Sequence, residues 1–539
     1  MGMWYIGEGH ERVPRAPVGA VVLIAAALLS APFALAAAET APETAPTFDV
    51  LEYRVLGNSS LPTIEIERAV YPFLGPGKSL KDVEAARVAL EHVYHDRGFG
   101  TVFVDIPEQN VTEGIVRLHV AEGRLSKVTV TGARYFAQRD IKAQVPSAHR
   151  DAVPNLPQLQ SELSSLNTET PDRVVVPVLR AGTDPGTVDL ALKVDDHLPF
   201  HGSLEVNNQQ TPDTKPLRTQ GAVSYDNLFG ELDHLGAQYQ TAPQEHSQVE
   251  VIALNFSTPI DPGRSNVSAT YIKSNTDVAT LGTLGVLGRG SIYGLRYSRS
   301  LESETARSQG LSIGVDFKDF QQSIFTGPAA SLNTPISYLN WSAAYNGSWR
   351  TARQQWNLDV TGNLGIRGVG NYSSEFANKR FEAQPNYFYV RSDASWRFTL
   401  PARFGLLLRA GGQYAVDPVI SNEQFVIGGI NTARGYLEAE ELGDRGFNST
   451  AQVETPALRL FAGRVLASSY VFFDLARVTT IDPLPGESAN AVLRSAGVGL
   501  SLQAFEHFAG NLAWADPLVS GSRTARSASR LLFSVNGSW

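Results

Sequence analysis

The segment Arg530-Leu531-Leu532-Phe533-Ser534-Val535-Asn536-Gly537-Ser538-Trp539 decides the fold. Leu531, Phe533, Val535 and Trp539 fall on one face and Ser534, Asn536 and Ser538 on the other, the period-two pattern of a strand with one apolar and one polar side. It closes on an aromatic residue, the type favoured where a strand meets a membrane interface. Segments of this kind recur back to about Pro199, each of about ten residues and separated by turns or longer polar loops. Sixteen can be placed, from 201–208 to 529–539, among them 387–399, 404–414, 447–456 and 464–475. An even number of alternating strands with almost no helical signal predicts a 16-stranded antiparallel outer-membrane barrel over 197–539. A soluble sandwich or propeller shares the alternation; glycine-rich aromatic strands, the terminal Trp539 and an export leader favour the barrel.

That leader is residues 1–38. Arg12 and Arg15 precede the apolar run Val18–Leu29, and small residues follow at Ala34-Leu35-Ala36 and Ala36-Ala37-Ala38, the order of a secretory signal peptide. The run is shorter than the ~20 apolar residues of a spanning helix. Residues 39–47, rich in Ala, Pro and Thr, read as a short flexible lead-in. From Phe48 to about Asp195 the texture is mixed. Strand Phe48–Leu56 is followed by a helix from Ile64 to Phe73 and by a second helix opened by Ser79, with Leu80, Val83, Ala86, Leu90 and Tyr94 on its apolar side. Gly98 ends that helix, and strands Thr101–Ile106 and Ile115–Val120 complete the unit. The order then repeats: strand Leu125–Thr131, helices Ala137–Ala143 and Leu156–Leu166, strands Arg173–Leu179 and Thr187–Val194. Two tandem βααββ modules, 48–122 and 123–196, are expected.

Composition narrows the chemistry. The chain has 539 residues, 45 basic and 54 acidic side chains and a net charge of −9, against a general affinity for nucleic acid. It has no cysteine, and its two methionines, Met1 and Met3, lie in the leader. Disulfides, thiolate nucleophiles and cysteine-ligated metals are thereby excluded. Gly75-Pro76-Gly77-Lys78-Ser79 imitates a phosphate loop, but Pro72 stands where that pattern needs glycine. His92 and His95 have metal-ligand spacing without a third ligand and read as an exposed pair. The glycine-rich run from Gly285 to Gly294 reads as a hairpin loop. No nucleophile elbow or zinc-protease motif occurs, so no enzyme, cofactor or metal is expected.

One connection stands apart. Residues 415–446, between the eleventh and twelfth strands, hold Phe425-Val426-Ile427-Gly428-Gly429 and Thr432-Ala433-Arg434-Gly435-Tyr436. A loop so long and so aromatic suits folding back into the lumen, where Arg434 would need a fixed anion. In Tyr470-Val471-Phe472-Phe473-Asp474, parity puts Tyr470, Phe472 and Asp474 on one face, so a lumenal Asp474 could serve. An exposed loop arginine with an interfacial aspartate is the other reading of the same residues.

Phe425, Gly428, Gly429 and Ala433-Arg434-Gly435-Tyr436, followed by Gly443-Asp444-Arg445-Gly446, resemble the sixth-loop motif of the two-partner secretion translocators, the haemolysin secretion/activation family of the barrel-assembly superfamily. Leu166-Asn167 to Pro171-Asp172-Arg173, with Leu179-Arg180-Ala181-Gly182 and Pro185 to Leu190, is similar to the second periplasmic polypeptide-transport-associated (POTRA) domain of that family. Asp226-Asn227-Leu228-Phe229-Gly230 also fits, and the match runs in order along the mature chain. The sequence departs from the family at Ala433, usually valine, and at Ala476, often glycine. Many members also carry an N-terminal plug helix, for which Glu39–Thr47 is too short.

The resemblance implies two periplasmic POTRA domains and a barrel in the outer membrane of a Gram-negative bacterium. It implies a lumenal latch of Arg434, Gly435 and Tyr436 with Phe472 and Asp474, on a scaffold of Gly428, Gly429 and Asp444, and a terminal strand anchored by Phe533 and Trp539. The implied function is export of an unfolded exoprotein with an N-terminal secretion domain, without nucleotide hydrolysis. The implied partners are that exoprotein, outer-membrane lipid and, for insertion, the barrel-assembly machinery and periplasmic chaperones. An assembly factor that inserts other barrels is the alternative the same superfamily implies.

Overall fold

A computed structural model describes residues 46–539 except 112, 262, 277, 282–283, 305, 322 and 328–329; the leader 1–38 and most of the lead-in lie outside the described residues. The chain divides into two units, one ending at Asp196 and one spanning His197–Trp539.

In the first unit, the helix Leu80–Asp96 starts where Ser79 and Asp82 cap each other reciprocally, and it ends at Gly98, whose φ of +92° suits glycine. Val83, Ala86, Leu90 and Tyr94 are buried as the periodicity predicts; Leu80 is not, being 66% exposed at the first turn. The helix covers a sheet ordered Glu52–Leu56, Ile115–Glu122, Val102–Asp105, in which the first pair is parallel and the second antiparallel. The expected strand 48–56 is broken at Leu51. Its first part, Phe48–Val50, pairs instead with Gly75–Lys78, so the glycine-lysine stretch is a strand, fixed by the Gly77 amide donating to Asp49 at 2.9 Å. His92 pairs with Asp96, while His95 bonds the Val102 carbonyl, so the two rings do not face a common ligand.

The order and sense repeat in Arg124–Thr131, Thr187–Asp196 and Arg173–Ala181, packed under helices Gln138–Ala143 and Leu156–Thr168. The two modules share one device. Gly57 and Gly132 follow the first strand of each sheet with φ of +87° and +91°, and a Cβ there would lie 2.4 and 2.3 Å from the carbonyls of Val120 and Val194. Two residues beyond those carbonyls, Glu122 accepts the amides of Ser59 and Ser60, and Asp196 those of Arg134 and Tyr135. A closed chain approach thus ends in a carboxylate that caps the turn.

The second unit is a 16-stranded closed antiparallel barrel. Each strand exposes one face to lipid and turns the other inward: in the thirteenth, Val465–Thr479, Tyr470, Phe472, Asp474, Ala476 and Val478 are buried while Val471 and Phe473 face out. The sixteenth strand, Arg530–Ser538, closes on the first, Phe200–Asn207, over five paired positions from Ser534↔Asn207 to Ser538↔Ser203. Leu531, Val535 and Trp539 face out; the intervening Leu532 is lumenal, against Tyr470 and Phe472. The Trp539 indole lies over Gly202, where a Cβ would collide with it, and the two backbones exchange hydrogen bonds of 3.0 and 3.1 Å. The run Gly285 to Gly294 is not one loop: Leu284–Leu287 belongs to a small hairpin, and Gly290 opens the sixth barrel strand, Gly290–Glu304. No helix among the described residues is long and apolar enough to cross a membrane; the barrel crosses with strands.

Candidate functional site: the sixth loop against the inner wall

The long loop leaves the eleventh strand, Gly405–Ala415, and returns to the twelfth, Arg445–Glu454. Between them Phe425–Ile427 pairs with Glu441–Gly443 as a short hairpin, so the loop has its own backbone order. Its chain direction reverses at Gly428 and Gly429, with φ of +104° and +96°; side chains there would strike the Leu437 carbonyl and the Glu438 carboxylate. Thr432 closes the bend, accepting the Gly428 amide at 2.8 Å and donating to the Gly428 carbonyl at 3.0 Å.

The tip reaches the wall at Arg434. Its Nε and Nη2 each donate to Asp474 at 2.8 Å, its backbone amide donates to the same carboxylate at 3.0 Å, and Nη1 donates to Gln452 at 2.8 Å. Thr450 donates to Asp474 at 2.8 Å. The Arg434 guanidinium carbon lies 3.5 Å from the centre of the Phe472 ring, a cation–π contact, with Tyr470 beyond at 5.9 Å. The side chain of Asp474 is 1% exposed and that of Arg434 9%. A buried carboxylate of this kind is compatible with folding only because its lone pairs are met by a forked cation and neutral donors.

Gly435 has φ of +94°, and its α-carbon approaches the fifteenth strand, Phe508–Pro517, so closely that a Cβ would lie 3.3 Å from Ala515 and Pro517 atoms. Tyr436 is buried; its hydroxyl lies 2.8 Å from the Arg494 carbonyl and 2.7 Å from that of Val519. Ala433 and Ala476, the two departures noted above, lie in one apolar cluster with Phe425, Ile427, Tyr436 and Leu493. Asp444 is fully buried at the foot of the loop, where it meets both guanidinium amino groups of Arg380 and accepts the amides of Val419 and Ile481.

Sequence reasoning missed three anchors. Glu423 accepts from Lys318, Tyr338 and Tyr389 on three wall strands. Glu440 accepts the amides of Arg523 and Thr524, tying the loop to the connection before the last strand. Arg380 follows the short helix Ser373–Lys379 in the connection between the ninth and tenth strands. Near these anchors Phe376, Ala383, Val419 and Ile420 join inward residues of six strands, among them Val251, Ile272 and Tyr338, in an apolar core inside the barrel. The sequence signal was a carboxylate, Glu423, two residues ahead of the apolar Phe425-Val426-Ile427.

A closed barrel with POTRA modules ahead of it and a lumenal Arg-Gly-Tyr loop defines an outer-membrane protein of the polypeptide-transporting class. The chain belongs to the haemolysin secretion/activation protein ShlB/FhaC/HecB family, matched over residues 186–502, with a ShlB-type POTRA domain matched over residues 48–123. It is a two-partner-secretion-type outer-membrane transporter, with its POTRA domains in the periplasm. Similar proteins include the outer membrane transporter CdiB of Dickeya dadantii, 23% identical over 74% of this chain and 71% of that protein. The heme/hemopexin transporter protein HuxB of Haemophilus influenzae is 22% identical over 87% of this chain and 83% of its own length. Among solved structures, CdiB from Escherichia coli superposes with a TM-score of 0.59 at 20% identity, covering 95% of this chain and 94% of that one. BamA from Haemophilus ducreyi lacking POTRA domains 1–3 gives 0.57 at 15% identity, covering 91% and 100%.

Proposed function

We propose that this transporter captures an unfolded exoprotein through the modules 48–122 and 123–196 and passes it through the barrel 197–539 to the cell surface without nucleotide hydrolysis. The observation that carries this reading is the ion pair of Arg434 with Asp474, which holds the connection 416–444 against the inner wall of the barrel. A chain in transit needs that space, so the pair works as a latch that opens, and Gly435, Tyr436 and Phe472 shape its seat. Gly428 and Gly429 turn the chain toward the tip, while Asp444 holds the foot of the loop to Arg380. Folding of the exported chain outside makes passage one-way.

Capture is by main-chain pairing of an extended segment. Two candidate edges are already capped by helix side chains. Arg87 donates to the Val104 carbonyl, Glu91 accepts the Val104 amide and His95 bonds Val102, while Asn167 both donates to and accepts from Val175. Among the described residues the outer side of Glu52–Leu56 carries no such caps, and the reading places the incoming strand there.

The test is secretion of large exoproteins bearing N-terminal secretion domains, from cells with and without this gene, with the levels of other outer-membrane barrels scored alongside. Loss of an exoprotein with other barrels unchanged supports export; a general fall in barrels with secretion intact overturns it in favour of an assembly factor.

A further inference from the structure

Arg409 lies on the eleventh strand with inward parity: Leu407 and Gln413 are buried inside the barrel, and Leu408 and Tyr414 face out. The lumenal cations around it are engaged, Arg397 by Glu454, Arg391 by Gln413 and Arg434 by Asp474. Arg409 is solvent-exposed in the lumen and has no hydrogen-bond or ion-pair partner among the described residues. In the ladder it stands directly across from Thr450, and Thr450 directly across from Asp474. Two inter-strand spacings put the α-carbons of Arg409 and Asp474 about 10 Å apart, a gap that an arginine and an aspartate side chain close between them. The residue between is a short threonine that itself donates to Asp474.

We propose that Arg409 is the second cation of Asp474: when the loop withdraws and carries Arg434 away, the Arg409 guanidinium crosses over Thr450 and pairs with the carboxylate left behind. The proposal rests on the latch reading. Withdrawal of Arg434 takes from Asp474 the forked cation and the backbone amide that neutralise it, leaving Thr450 as its close donor on the wall. A cation mounted on the wall makes good that loss, so unlatching exchanges one ion pair for another. In the latched state the Asp474 oxygens are taken by Arg434 and Thr450. Other acids nearby leave Arg409 available: Glu454 is held by Arg397 and Gln452, and Asp393 stands one rung along, across from Gly411 rather than Arg409. Arg409 is a positioning residue, acting on the chain in transit only through Asp474.

The test is a cycle of full-length variants in detergent, read as the temperature at which the folded barrel is lost on a gel. Arg434→Ala and Arg409→Gln singly each shift that temperature by about 1–3 °C. The double variant falls by about 5–10 °C, well beyond their sum, because Asp474 is then buried without a cation. Adding Asp474→Asn to the double restores most of the loss, and Arg409→Lys in the Arg434→Ala background behaves like Arg434→Ala alone. A double variant equal to the sum of its singles, or no restoration by Asp474→Asn, overturns the exchange. The readout is independent of secretion, so failure of the latch itself would show separately, as normal export by Arg434→Ala.

Discussion

Arg380 and Asp444 meet fork to fork, two guanidinium amino groups on two carboxylate oxygens, with Asp444 wholly buried. The same arginine donates to the carbonyls of Val419 and Ile481, so one side chain joins the connections that follow the ninth, eleventh and thirteenth strands. Arg380→Ala leaves a buried carboxylate with only amide donors and costs about 3–5 kcal/mol locally. The expected outcome is a barrel that assembles but leaks: bulky antibiotics enter the cell faster and single-channel conductance rises, with Arg380→Lys intermediate.

Lysine cannot replace Arg434. Its single ammonium offers no planar fork to reach both Asp474 oxygens and Gln452 while lying flat on Phe472. Arg434→Lys is expected to lower the amount of exoprotein in the medium several-fold and Arg434→Ala further, while the amount of folded barrel in the outer membrane stays near normal.

Gly435→Ala places a methyl group on a left-handed residue and within 3.3 Å of Ala515 and Pro517 atoms. Strain of roughly 1–2 kcal/mol is expected at the tip alone. Protease added to outer-membrane vesicles should cut within 415–446 faster in this variant, with the barrel strands still protected.

The absence of cysteine makes a reversible lock available. A Cβ on Gly435 would lie 3.3 Å from that of Ala515, slightly under the usual disulfide separation of about 3.5–4.5 Å. With Gly435→Cys and Ala515→Cys together, oxidation should stop secretion and reductant restore it. Secretion by the oxidised protein would mean that the loop does not have to leave the wall.

Glu122 gives the first module a pH dependence. Burial pushes its carboxyl pKa up, but hydrogen bonds from Ser59 and Ser60 outweigh that and hold it below the ordinary 4.5. A depressed folded pKa means the stabilisation is complete above the unfolded value and is lost as pH falls through the folded one. Urea unfolding of residues 46–196 should therefore weaken below about pH 4.5, and Glu122→Gln should cost about 1–3 kcal/mol at neutral pH and flatten that slope.

The sequence by itself determined the strand count and, for stretches such as 530–539, which residues share a face. Period-two alternation is a local property, imposed by lipid on one side and lumen on the other, and it shows in any ten residues such as 530–539. The helix opened by Ser79 and closed by Gly98 was legible for the same reason: capping chemistry is local. Parity put Tyr470, Phe472 and Asp474 on one face without saying which way it turned, and the family resemblance supplied Arg434 as the partner of Asp474. The tertiary structure alone decided what depends on residues distant in the chain. The break of 48–56 into two sheets needs Gly75–Lys78, and Leu80 stays exposed because nothing packs over the first turn. Arg380 and Asp444 are 64 residues apart, and Glu423 meets Lys318 across 105. Their pairing follows from barrel closure, which brings the ends of non-adjacent strands to one rim; no periodicity along the chain encodes which charge will find which.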